Sequence, residues 1–118
     1  MIDWDRVVEL HDELGAEEFN PVLEMFIDEV EGVVMRLQSD DAAELESSLH
    51  FLKGCAWNLG FAEFGAICQR GEAMAARGSA QQVSIDELVA CYSTSKQMFI
   101  RDLARVIDPD AGGNTDVA

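Results

Sequence analysis

The sequence predicts an all-α fold, an antiparallel up-down four-helix bundle with a short additional helix at its N-terminal end. Apolar residues recur at helical spacing along nearly the whole chain, and no segment alternates with a period of two for long enough to indicate a strand. The two prolines, Pro21 and Pro109, stand where a helix would begin or end. Four substantial helical segments joined by short loops are typical of such a bundle.

The first two helices are recognised by their ends. The apolar pattern predicts a first helix over residues 4–14 that stops at Gly15. His11 lies on or beside the apolar face of this helix, and we interpret it as a structural histidine. The second helix is predicted to start with Asn20 as its N-cap and Pro21 at its first position, where a missing N–H removes no hydrogen bond.

The third helix is predicted to begin beyond residues 38–40, because Asp41 and Glu44 resemble a capping box. Its core-facing residues follow one another at spacings of four, three, four and three; they are Leu45, Leu49, Leu52, Ala56 and Leu59. At about 100° per residue, His50 lies roughly 140° from the direction of this core stripe. The side chain of His50 is therefore predicted to face outward or to lie at a boundary of the core.

The last two helices are also predicted from the residues at their ends. The fourth helix is predicted over residues 62–77, with Gly78 as its C-terminal cap. The fifth is predicted to open with Ser84, three residues before Glu87, and to continue to Pro109. Residues 1–108 are predicted to form one domain. Residues 109–118, rich in Gly, Asn and Asp, are predicted to be a disordered tail.

The composition limits the classes of partner. The chain carries 23 acidic and 8 basic residues, and its formal net charge of -15 gives a surface that repels nucleic acid and anionic lipid. Neither nucleic acid nor a membrane is expected as a partner, and the acidic charge favours a monomer. Cys55, Cys68 and Cys91 lack the spacing of metal ligands, so we expect no metal site. The N-terminus lacks a signal-peptide pattern, and a cytoplasmic location is expected.

His50 is the candidate reactive residue. A neutral imidazole offers a ring nitrogen lone pair that can attack an electrophile such as a phosphoryl group. Lys53 lies one turn along the same side, where it can offset new negative charge, and Gly54 leaves the backbone bare for an approaching partner. An ordinary solvated helix face can also contain a histidine beside a lysine, so these three residues alone leave both interpretations open.

The residues from Leu49 to Gly60 read LHFLKGCAWNLG. In an all-α chain of this length, this stretch resembles the histidine-containing phosphotransfer (HPt) domain family, whose pattern is H-x-x-K-G-x-x-x-x-x-G. The resemblance extends over most of the chain, including the acidic, Phe-containing helix before the stretch and Cys68 with Glu72 on the next helix.

The resemblance implies a phosphoryl carrier in a two-component phosphorelay. His50 would accept a phosphoryl group from an aspartyl phosphate on a receiver domain and pass it to a response-regulator receiver, while Lys53 would stabilise the group. Gly54 and Gly60 would keep the histidine accessible. The implied partners are receiver domains and a hybrid sensor histidine kinase. No cofactor is expected on this chain, because the Mg²⁺ would belong to the receiver. The chain lacks an ATP-binding loop motif, so we expect no kinase activity of its own.

The predicted docking residues are Glu46, Trp57, Gly60 and Phe61. Trp57 replaces a residue that is usually small in the family. It could form an apolar contact with a partner, fold over the imidazole, or pack against the first helix or the loop after Gly15.

Two other functions remain open from the sequence. One is a non-catalytic module that binds receiver or kinase domains without phosphotransfer, for which Trp57 is the motivating residue. The other is an enzyme in which His50 is a general base and Glu46, one turn earlier, orients its ring.

Overall fold

The computed structural model describes residues 2–107, and this part of the chain is all-α with five α-helices. These are α1 (Trp4–Leu14), α2 (Ala16–Arg36), α3 (Ala42–Leu59), α4 (Ala62–Ala76) and α5 (Ile85–Ile107). Short 3-10 turns follow α2 and α4. The helical bundle confirms the predicted fold class. The tail predicted over residues 109–118 lies outside the described residues.

The helices enclose a single apolar core. All five residues of the predicted stripe on α3 are buried. A two-residue connection joins α3 to α4, so these helices run antiparallel in close contact. Phe64 of α4 packs against Tyr92 of α5, and Trp4 of α1 stacks on Phe99 of α5 with 5.7 Å between ring centroids. Within the described residues, no helix combines the length and the apolar character needed to cross a membrane.

The second helix begins earlier than the sequence predicts. It starts at Ala16 rather than after Asn20, so the prediction of Asn20 as N-cap is wrong, and Pro21 lies inside the helix. The additional first turn carries Phe19, which is buried in the core and whose N–H donates to the carbonyl of Gly15 at 3.0 Å. Burial of this large aromatic ring stabilises the turn despite the proline that follows it.

The predicted caps of the other helices are present. The backbone N–H of Glu44 donates to the Asp41 carboxylate at 2.8 Å, and the N–H of Asp41 donates to the Glu44 side chain at 2.9 Å, which completes the capping box. The N–H of Glu87 donates to the Ser84 hydroxyl at 3.2 Å. The fourth helix ends one residue before its predicted end, and Gly78 follows with a φ of 85°.

Gly60 fixes the turn that joins α3 to α4. Its φ is 80°, a left-handed conformation that favours glycine. Its carbonyl accepts a hydrogen bond from the N–H of Asp3 at 2.6 Å. A Cβ at this position would lie 2.7 Å from the carbonyl oxygen of Asp3 and 2.9 Å from Cγ2 of Val7. The N-terminal segment can therefore pack onto this turn only because residue 60 has no side chain.

Candidate functional site

His50 projects from α3 away from the core, as the sequence predicts. Its side chain is 69% exposed, whereas its neighbour Leu49 is completely buried. The difference follows from the helical period, because residues adjacent in sequence point about 100° apart. The imidazole is thus fixed on a packed helix and open to solvent.

A glutamate from the next helix holds both His50 and Lys53. Oε2 of Glu72, on α4, lies 2.8 Å from Nδ1 of His50, and its Oε1 lies 2.7 Å from Nζ of Lys53. The two helices are close at this level because Gly71 leaves room for Leu49; a Cβ on Gly71 would lie 2.9 Å from Cδ1 of that leucine. The carboxylate of Glu72 therefore binds both the imidazole of His50 and the ammonium group of Lys53.

The electrostatics of this cluster indicate which nitrogen of the imidazole carries a proton. The hydrogen bond from Lys53 is the main reason that the pKa of Glu72 lies below its ordinary value; partial burial opposes this effect, and the bond from His50 adds to it. Glu72 is therefore ionised near neutral pH and can only accept hydrogen bonds. We infer that Nδ1 of His50 carries the proton and donates it to Glu72. In the neutral ring, Nε2 then holds the lone pair.

Trp57 packs on α4 and remains partly exposed. Its indole lies over Gly65, where any Cβ would collide with the ring nitrogen, and Nζ of Lys53 stands 5.9 Å from the ring centroid. The indole is 45% exposed. The alternatives given by the sequence did not include this packing on α4. The exposure of His50 also excludes an imidazole buried under the indole.

The other predicted site residues separate into exposed and buried groups. Glu46 and Gly54 are exposed, and a Cβ on Gly54 would meet nothing within 4 Å. Gly60 is buried, as is Phe61, whose ring packs against Phe99 at 5.2 Å between centroids. Both are covered by the rest of the fold, so neither is part of the exposed surface around His50, and their contact with a partner stays a prediction. The ring of His50 is bound by Glu72, whereas the sequence suggested Glu46 for this role.

The contact between Glu72 and His50 could have been found from the sequence. His50 lies 11 residues before Phe61, and Glu72 lies 11 residues after it. Two antiparallel helices joined by a tight turn at residues 60–61 bring such residues level with each other. The predicted start of the fourth helix at residue 62 already implies this short connection, so counting equal distances from Phe61 in both directions would have paired His50 with Glu72.

The cysteines do not contribute a reactive group to this site. Cys68 is completely buried, and its burial raises the pKa of its thiol to about 12. Burial also raises the pKa values of Cys55 and Cys91. Within residues 2–107, no three His, Cys, Asp or Glu side chains are arranged to hold a metal ion.

Comparison with known families gave one result that covers this site. The family model described as the Hpt domain matches residues 21–107, which include all of α3, α4 and α5. Comparisons with curated proteins and with solved structures gave no significant match.

Proposed function

The chain belongs to the Hpt domain family, and its general role is phosphotransfer in two-component signalling; we propose that His50 is the residue that carries the phosphoryl group. In this proposal, His50 accepts the group from an aspartyl phosphate on the receiver domain of a hybrid sensor kinase. It then passes the group to the receiver of a response regulator. The observation that carries the proposal is the exposed imidazole whose Nδ1 is bound to Glu72.

The reaction needs only the lone pair of Nε2. This lone pair forms a bond to phosphorus while the bond from phosphorus to the aspartate oxygen breaks, and the electron pair of that bond returns to the carboxylate. Transfer to the second receiver reverses these changes, with an aspartate oxygen as the nucleophile. Lys53 lies one turn along α3 and is held by Glu72, so its ammonium group is placed to offset the charge of the phosphoryl group.

The chain is proposed to act as a carrier without kinase activity or a cofactor of its own. We expect the Mg²⁺ to be held by the acidic pocket of the receiver. The cytoplasmic location and the monomeric state also stay predictions.

We further propose that the receiver docks on the exposed side of α3 around His50, a surface that we call the docking face and define as Glu46, His50, Gly54 and Trp57. Gly54 supports this placement. A glycine inside a helix costs about 1 kcal/mol relative to alanine. No neighbour within the described residues requires it, because a Cβ here would be in open space. A partner that approaches this backbone closely would explain the missing side chain.

Trp57 gives the docking face an aromatic anchor. Its indole is exposed, yet Gly65 beneath it fixes its position. Aromatic residues that are exposed and already fixed in place lose little conformational freedom on binding, and they often dominate the energy of protein interfaces.

The experiment that tests the proposal is transfer of a radiolabelled phosphoryl group from phosphorylated receiver domains to the full chain. We expect an acid-labile, base-stable label on the wild type and none on His50→Gln. His11 is the matched control, because it is the only other histidine and its ring packs edge-on against Phe19. His11→Gln should accept the label. A label that persists in His50→Gln would contradict the proposal, as would no label with any receiver from the same organism.

A second candidate function is a binding module that does not transfer phosphate, which the exposed Trp57 also favours. The two functions differ in their dependence on His50. If receivers bind the chain equally well before and after His50→Ala, and if phosphorylation of the receiver changes neither affinity nor label, the binding module is the better description.

A further inference from the structure

A groove of about 420 Å³ runs along the seam between α2 and α5. Two apolar side chains on its walls are strongly exposed: Met35 of α2 at 84% and Ile100 of α5 at 60%. The rest of its apolar lining consists of Val34, Val89 and Tyr92. The groove therefore holds apolar surface in contact with water that a partner can bury.

This groove lies on a different side of the bundle from the docking face. In the bundle, α2 packs beside α3, α3 beside α4, and α4 beside α5. His50 and Trp57 contact α4, so the docking face lies at the seam between α3 and α4. The groove is lined by residues of α2 and α5, and this seam faces away from the first one. A protein bound in the groove would leave His50 accessible.

Carboxylates stand along the seam beside the apolar lining. The pKa of Tyr92 is raised mainly by burial and by Glu31, and the charge of Asp28 adds to this effect, so Asp28 faces the seam. Asp86 of α5 lies at the opposite end, where the amide of Gln38 donates to it at 3.5 Å. The groove thus combines apolar surface with negative charge.

The shape and charge of the groove indicate what fits it. Among its lining residues within 2–107, the one cation is Lys96, which is already paired with Glu31, so the balancing charge must come from a partner. From Val89 to Ile100, the α5 wall is roughly 16 Å long, about three turns of a helix. We propose that the groove binds a basic amphipathic helix of a partner protein, whose apolar side chains lie between α2 and α5 and whose lysines or arginines face the two aspartates.

Charge favours this occupant over others from the chain itself. A second copy of the chain would bring the same carboxylates against one another, which is unfavourable. Residues 108–118 contain three aspartates and neither lysine nor arginine, so they carry the same sign of charge as the groove. The flexible thioether of Met35 also suits the surface of a helix, because methionine adapts to irregular apolar shapes.

The first test uses a synthetic basic peptide of about 18 residues, long enough to form a helix, with leucines on one face and lysines beside them. A matched peptide carries glutamates in place of the lysines. Methyl NMR of the full chain should show shifts at Met35 and Ile100 on addition of the basic peptide. Met25 should not shift, because it is exposed on α2 but does not line the groove. Equal binding of the acidic peptide, or larger shifts at Met25, would overturn the proposal.

The second test compares two exposed methionines of the same helix. Met35→Ser should weaken binding of the basic peptide about tenfold, measured by fluorescence anisotropy, because it removes an apolar contact in the groove. Met25→Ser is the matched control and should bind as the wild type does. Equal losses in the two variants would overturn the proposal.

The third test compares two adjacent carboxylates of α2, Asp28 and Glu29. Burial raises the pKa of Cys55 and the charge of Glu29 adds to this effect, so Glu29 faces α3 rather than the groove. Asp28→Asn should weaken binding of the basic peptide about threefold, and Glu29→Gln should not. Equal effects would indicate general attraction of a basic peptide to an acidic surface and would overturn the proposal.

Two further measurements separate the groove from other sites. In sedimentation experiments, a dimer that dissociates in Met35→Ser but not in Met25→Ser would assign the groove to a second copy and overturn the proposal. Labelling of His50 by phosphoramidate, a small phosphoryl donor, should continue while the basic peptide is bound. Labelling that the peptide blocks would place it on the docking face and also overturn the proposal. Absence of labelling without the peptide would instead contradict the proposed function.

Discussion

Two glutamates on different sides of the bundle, Glu72 and Glu31, form nearly the same ion pair. Glu72 on α4 binds Lys53 of α3, and Glu31 on α2 binds Lys96 of α5. The exposed fractions are 20% for both side chains of the first pair, and 34% and 32% for the glutamate and lysine of the second. In both cases the lysine is the main reason that the pKa of the glutamate is lowered. The ion pair alone therefore does not mark a reactive site.

The second hydrogen-bond donor to each glutamate separates the two clusters. Glu31 accepts a hydrogen bond from the hydroxyl of Tyr92 at 2.9 Å, and burial followed by this bond raises the pKa of Tyr92 far above its ordinary value. Tyr92 is a buried residue, and its raised pKa keeps the hydroxyl protonated near neutral pH. Glu72 instead binds an exposed imidazole, which has a second nitrogen for chemistry. The comparison teaches that a donor with a second, accessible reactive atom turns a structural contact into a candidate site.

The largest expected effect comes from removing the second hydrogen-bond donor to each glutamate, His50 for Glu72 and Tyr92 for Glu31. His50→Gln should abolish labelling by phosphoramidate and change the free energy of unfolding by less than about 0.5 kcal/mol, because the side chain is exposed. Tyr92→Phe should leave labelling unchanged and lower the free energy of unfolding by about 1 kcal/mol, because a buried hydrogen bond to Glu31 is lost. Urea unfolding and radiolabel counting measure both. Loss of labelling in Tyr92→Phe would contradict the distinction between the Glu72 cluster and the Glu31 cluster.

The next effect compares two glycines of the α3 region. Gly60→Ala should lower the free energy of unfolding by about 3 kcal/mol, because the new Cβ meets Asp3 and Val7 in a left-handed backbone. Gly54→Ala should raise it by about 0.5–1 kcal/mol, because alanine favours the helix and has room. Urea unfolding curves give both values. Gly54→Ala should nevertheless slow transfer from a receiver, and unchanged transfer would remove this glycine from the docking face.

A smaller effect distinguishes the two glutamates themselves. At pH 7, Glu31→Gln should lower the free energy of unfolding by about 1–2 kcal/mol, because a buried hydroxyl loses its charged acceptor. Glu72→Gln should cost less than about 1 kcal/mol, because exposed His50 can bind water instead. Chemical unfolding at a series of pH values gives both numbers.

The stabilisation by Glu31 and Glu72 should depend on pH in a definite direction. The pKa of each glutamate is lowered from 4.5 in the fold, so the stabilisation is present above 4.5 and is lost as the pH falls through the lowered value. Each variant should therefore lose less stability on acidification below 4.5 than the wild type. An identical acid dependence in Glu31→Gln and the wild type would contradict this explanation.

The last comparison concerns the aromatic anchor. Trp57→Ala should weaken receiver binding about tenfold, equivalent to roughly 1.4 kcal/mol, and should leave phosphoramidate labelling of His50 unchanged. Ile100→Ala is the control, because Ile100 is also exposed but lies on α5. Titration calorimetry with a receiver measures both affinities. Equal losses for the two variants would argue against a specific role for Trp57.

The sequence predicted the elements that depend on local pattern. The core stripe of α3 and the outward direction of His50 follow from a helical period that begins at the capping box of Asp41, and all of these features are present. The start of α2 was missed because burial of Phe19 stabilises a turn that Pro21 disfavours. At the start of α2, tertiary packing therefore outweighs the local helix propensity.

The residues that were misplaced at the site depend on contacts between helices. The partner of His50 is Glu72 because a short connection aligns α3 with α4. The indole of Trp57, a residue of α3, packs against α4 because Gly65 makes room for it. Gly60 and Phe61 were predicted as docking residues, but the N-terminal segment and α5 cover them. Such contacts cannot be read from the period of one helix.

The most direct test of the account is a chase with two receivers. The full chain is first labelled from a phosphorylated receiver, then purified and mixed with an unlabelled response-regulator receiver. We predict that the label leaves His50 of the wild type and appears on the second receiver in equal amount, while His50→Gln never carries it. A label that maps to another residue of the chain, or that stays on His50 with every receiver tested, would contradict the account.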